Sequence, residues 1–123
     1  MMRVALFLAG FTVAGLAVTD AQAADAALQK AIAEFGAAAG RIEASVPFCG
    51  GPPEEAEYFV EQIEGLSTKA GAGPLEWAAI RAAMQKAKSG AAFTGYDCTD
   101  EGARAMVTEM LLKQQALGAA LKR

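Results

Sequence analysis

Residues 25–46 read DAALQKAIAEFGAAAGRIEASV, and the spacing inside this stretch decides the fold class. Leu28, Ile32, Phe35, Ala39, Ile42 and Val46 recur at intervals of 4, 3, 4, 3 and 4. That period lays them along one face of a helix, where a strand would need strict alternation. Asp25 suits the cap of such a helix, because its carboxylate accepts from the exposed amides of a first turn. Gly36 and Gly40 each weaken a helix by roughly 1 kcal/mol relative to alanine, and in exchange they permit a neighbouring helix to approach closely. Pro47 is expected to end the element.

Working towards the C-terminus, Phe48-Cys49-Gly50-Gly51-Pro52-Pro53 is a turn, since two glycines and two prolines let nothing regular persist. Pro53 fits the first position of a second helix, with Glu54, Glu55 and Glu57 at its positive end. Ala56, Phe59, Ile63 and Leu66 form its apolar stripe, and Gly65 is expected to mark its stop. Ala70-Gly71-Ala72-Gly73 is a connector. Pro74 then opens a third helix whose Trp77, Ile80, Met84 and Ala87 share a face that Arg81, Gln85 and Lys88 avoid. Residues 91–97, with Phe93 and Tyr96, form a loop over the end of the bundle. Asp97 or Thr99 caps a fourth helix with the stripe Val107, Met110, Gln114, Leu117 and Leu121. No alternating pattern competes with these four helices, so the expected fold is all-α: a small four-helix domain over residues 24–123.

Working back towards the N-terminus, residues 1–23 have the layout of a secretory signal peptide. Arg3 supplies a basic start, Val4 to Val18 is uncharged and apolar, and Ala21-Gln22-Ala23 is a small-x-small cleavage site. The apolar run is about fifteen residues against the roughly twenty of a membrane span, so no stable span is expected after cleavage. The expected destination is the periplasm, with secretion as the alternative. The leader carries one cation and one anion, Arg3 and Asp20, so the net charge of −3 is unchanged by its removal. A mildly acidic chain of this kind is a poor match to nucleic acid.

The chain has no histidine and two cysteines. Cys49 and Cys98 are expected to form a disulfide, because two cysteines outside a C-x-x-C arrangement in an exported chain read as a staple. Closing a loop of about fifty residues would stabilise a modest core by roughly 4 kcal/mol on chain entropy. The end of helix one and the start of helix four are taken to lie at opposite ends of a simple up-down bundle. That favours an arrangement in which helices two and three form a separate hairpin.

The residue inventory points away from catalysis. Without histidine there is no Ser-His or Cys-His nucleophile, no complete zinc set and no histidine-ligated haem. Neither a metal nor a cofactor is expected, and the chain is read as a binding protein rather than an enzyme. Glu54, Glu57, Glu61 and Glu64 form one helical stripe, ordinarily a solvated face and otherwise a surface for a basic protein partner. Trp77 with Tyr58 and Phe59 could line a groove for a ligand or an unfolded client, although a lone tryptophan in a small bundle more often anchors the core. The stripes on helices one and four also offer a seam for a homodimer.

The cysteine pair, separated by nearly fifty residues, and the run Cys98-Thr99-Asp100-Glu101 ahead of a terminal helix carry a family resemblance. In these features the chain resembles the HdeA/HdeB-like periplasmic acid-stress chaperones, over the cysteine framework and last helix only. The resemblance implies an acid-activated chaperone for unfolding clients. The composition permits this: protonating carboxylates below about 4 would move the charge from negative to strongly positive and loosen the compact state by self-repulsion. The alternatives are an inhibitor or immunity-type protein that covers a basic partner surface, and a small-ligand carrier using a pocket at Trp77.

Overall fold

A computed structural model describes residues 19–90 and 96–122, and of residues 19–24 only the backbone. Four helices follow one another: α1 (Thr19–Phe48), α2 (Pro53–Ala70), α3 (Pro74–Gly90) and α4 (Asp100–Leu121), with no strand among the described residues. Most of the expected leader and the loop residue Phe93 lie outside the described residues. The last residues of the expected leader, from Thr19, are helical and run unbroken into α1. Asp25 is therefore inside a helix rather than at its cap, because Ala21, Ala23 and Ala24 propagate the helix upstream at little cost.

The helix boundaries were expected from proline and glycine, and two of them move. Pro47 lies inside α1, which ends one residue later at Phe48. Pro47 lacks the N–H that would reach Glu43 O, yet the helix closes beyond it. Gly50 N–H donates to Pro47 O at 3.1 Å and Gly51 N–H to Val46 O at 2.7 Å, with Gly50 at φ 87°. This closure uses two carbonyls and needs no amide from Pro47. In α2, Gly65 does not stop the helix. The same closure occurs six residues on, where Gly71 at φ 107° lets Ala72 N–H reach Ser67 O. A glycine ends a helix only where the chain turns left-handed, and Gly65 does not.

The other starts are as expected. Pro53 and Pro74 open α2 and α3, and Thr99 caps α4 by accepting from Gly102 N–H at 3.1 Å.

The core takes one or two fully buried side chains from each helix: Phe35, Ile63, Ile80, Met84 and Leu117. α1 is the centre of the packing. It contacts α3 most, then α4, then α2. Gly36 lies against Ile80 and Ala83, and Gly40 against Met84 and Ala87, so α1 and α3 run parallel with backbones in close approach. Glu34 pairs with Lys113 while Cys49 bonds Cys98, which makes α4 antiparallel to α1.

These directions describe up, down, up, down. The expectation that the end of helix one and the start of helix four lie apart is overturned: two helices intervene, an even number, so both lie at one end. No separate hairpin of α2 and α3 is needed, and none forms, since these two contact each other far less than either contacts α1. The Cys49–Cys98 disulfide closes that shared end with Cα atoms 5.6 Å apart. Among the described residues, no helix is long and apolar enough to cross a membrane.

Candidate functional site

The feature that stands out from the packing is a charge in the core. Glu43 follows Ile42 on α1 and is 6 % exposed. A lone buried carboxylate would cost several kcal/mol, so it must be met by donors. Arg81 Nη1 donates to its Oε1 at 3.1 Å, and Lys88 Nζ to its Oε2 at 2.9 Å. Arg81 and Lys88 stand seven residues apart, on one face of α3, beside the buried Met84. Arg81 Nη1 also lies 3.7 Å from Met84 Sδ.

Because α2 and α3 diverge here, a cleft of about 470 Å³ opens above this ionic floor. Its far wall comes from the turn and first half of α2: Pro52, Pro53, Ala56 and Val60, with Glu57 also lining it. The walls are mainly carbon, the floor is ionic, and the two cations are 28 % and 33 % exposed at their side chains.

A second, smaller cleft of about 180 Å³ lies beside the exposed disulfide, between Glu55 and Asp97. Asp97 Oδ1 accepts from Thr99 Oγ1 at 2.6 Å and from Thr99 N–H at 3.0 Å. These two bonds, the hydroxyl's first, hold the Asp97 carboxyl below its ordinary value, since they favour the ionised form. The hydroxyl that donates to Asp97 accepts from Gly102, so Asp97 orients the cap of α4. Both residues proposed for that cap take part. Nearby, Phe48 and Tyr96 meet edge to face with centroids 5.2 Å apart.

The residues singled out from sequence are distributed differently. Glu54, Glu57, Glu61 and Glu64 are all exposed along α2, and none of them forms an ion pair with a described residue. Phe59 and Trp77 are half-buried against the core, while Tyr58 is 60 % exposed. None of the three aromatics lines either cleft. From sequence, Arg81 and Lys88 stand only off the apolar face of the third helix, and Glu43 has no assigned role. The one available signal was the seven-residue interval between the two cations next to an apolar stripe.

No metal-binding cluster of three or more candidate ligands occurs among the described residues. No family model, no curated protein and no solved structure matches this chain.

Proposed function

We propose that this chain is a small exported helical binding protein that protects unfolding proteins in the periplasm under acid stress. The observation that carries the reading is apolar surface left uncovered on all four helices. Leu75 is 82 % exposed, Leu112 60 %, Tyr58 60 % and Phe48 48 %, with Val107 and Leu111 also exposed. Spread over several faces, such side chains can meet varied apolar segments, whereas one shaped ligand would need them gathered in a pocket.

The ion pairs support an acid-dependent form of this activity. Each one between described residues runs from an α1 glutamate to a cation on another helix: Glu43 to α3 and Glu34 to α4. Acid that neutralises carboxylates as a class removes the anionic side of these ties. The chain then carries a large positive charge, and its helices loosen within the limit of the disulfide. The resemblance in the cysteine framework points the same way. The test is light scattering from a client protein that aggregates in acid. Aggregation is suppressed below about pH 3 and not at neutral pH; no suppression in acid overturns the reading.

A second reading, an inhibitor or immunity-type protein, is favoured by the unneutralised stripe Glu54, Glu57, Glu61 and Glu64. It requires a basic partner whose binding weakens when Glu57 and Glu61 are reversed to lysine. Unchanged binding by that variant excludes the stripe as the contact.

A further inference from the structure

The cleft between α2 and α3 has more donors than its own protein acceptors use. Glu43 takes one hydrogen bond on each oxygen, from Arg81 Nη1 and Lys88 Nζ. A guanidinium carries five N–H donors and an ammonium three. Among the described residues, Arg81 makes no other hydrogen bond beyond the Met84 sulfur contact, again through Nη1. Its Nε and Nη2, and the remaining protons of Lys88, are left for an acceptor from outside. Two cations on one buried carboxylate also leave a positive surplus at the floor. Facing that surplus across the cleft are the carbon surfaces of Pro52, Pro53, Ala56 and Val60.

We infer that this cleft binds a small apolar monocarboxylate, with its carboxylate on Arg81 and Lys88 and its hydrocarbon body against Pro52, Pro53, Ala56 and Val60. A cationic ligand meets two like charges here and finds both Glu43 oxygens already engaged. A neutral ligand offers these cations only uncharged acceptors, which hold them more weakly than a carboxylate does. The cleft's volume of about 470 Å³ lies within the 300–1,000 Å³ typical of small-molecule sites. Glu57 is the one opposing charge on the rim. It is exposed and solvated, so its repulsion is screened more than the attraction at the floor. The site does not depend on chaperone activity.

The probe is octanoate, titrated into the oxidised full chain at neutral pH and followed by amide chemical shifts. Saturable shifts are expected at Val60, Arg81 and Lys88, with octanol and octylamine binding about tenfold more weakly or worse. Glu57→Gln, at an exposed position, is expected to tighten octanoate binding a few-fold. Lys88→Gln is expected to weaken it about tenfold, with its circular dichroism melt checking that it folds. If Lys88→Gln does not fold, the ligand series and Glu57→Gln decide alone. Octanol binding as tightly as octanoate, shifts confined to Leu111 and Leu112, or no gain from Glu57→Gln each overturn the assignment.

Discussion

Alanine at Gly40 and alanine at Gly65 should move stability in opposite directions, although both replace a glycine inside a helix. Taken alone, each exchange favours the helix by up to about 1 kcal/mol. Gly65 has nothing within 4 Å of where a methyl would sit, so Gly65→Ala should keep most of that gain, about 0.5–1 kcal/mol. At Gly40 the methyl would stand 2.5 Å from Met84 O and 2.9 Å from Met84 Cα. Those atoms are backbone, so relief requires α1 and α3 to move apart along their main contact. Overpacking of this kind costs about 1–3 kcal/mol, and a rigid neighbour argues for the upper half of that range. Setting the propensity gain against it leaves Gly40→Ala destabilised by about 1–2 kcal/mol. The two variants should then differ by roughly 2 kcal/mol, or about 8–16 °C in melting temperature for a domain of this size. Urea and thermal unfolding of the oxidised proteins, followed by circular dichroism, measures both. A Gly40→Ala variant as stable as the parent would refute the close approach of α1 and α3.

Glu43→Gln keeps the size of the side chain but leaves Arg81 and Lys88 without their counter-charge. A loss of about 1–2 kcal/mol is expected in urea melts, below the 3–5 of a fully buried pair because both cations are partly solvated; an unchanged midpoint contradicts the ionic floor. Reducing the disulfide, which spans 49 residues, should cost about 4 kcal/mol, read as a fall in the urea midpoint with and without reductant. For Asp97 the folded value lies below the unfolded one. Its contribution is therefore complete above the ordinary aspartate range and disappears as the pH falls through the lowered folded value. A carboxyl carbon NMR titration whose midpoint for Asp97 is at or above the ordinary value would remove the argument.

Where one residue's chemistry sets the local structure, the sequence was readable. Proline at a first helical position announced α2 and α3, and a threonine cap with acidic first-turn residues announced α4. The cysteine pair was legible for the same reason, since two thiols in a chain read as exported have few other uses. Pro47 and Gly65 misled because each residue has two behaviours, and the choice rests on neighbours. Pro47 is tolerated where Gly50 and Gly51 close the helix end, and Gly65 stays helical because Gly71 offers the left-handed turn instead. The parity of the bundle follows from counting reversals, and the expected separate hairpin came from a miscount. Glu43 lay hidden for a deeper reason. Its partners are 38 and 45 residues away, and a charge pair between helices has no local pattern. Phe59 and Trp77 pack half-buried against the common core, and neither lines the two clefts described above.

The covalent link at one extremity dictates how this bundle can come undone. Around Cys49 and Cys98 the backbones of α1 and α4 are tethered, whereas towards the opposite extremity these two helices are held by packing and by the noncovalent pair of Glu34 with Lys113. A swollen chain must therefore splay like tongs, parting first where no covalent bond holds it and staying joined at the pivot. Whatever entered between the arms would be expelled on closure by the same hinge, with no need to reassemble separated pieces.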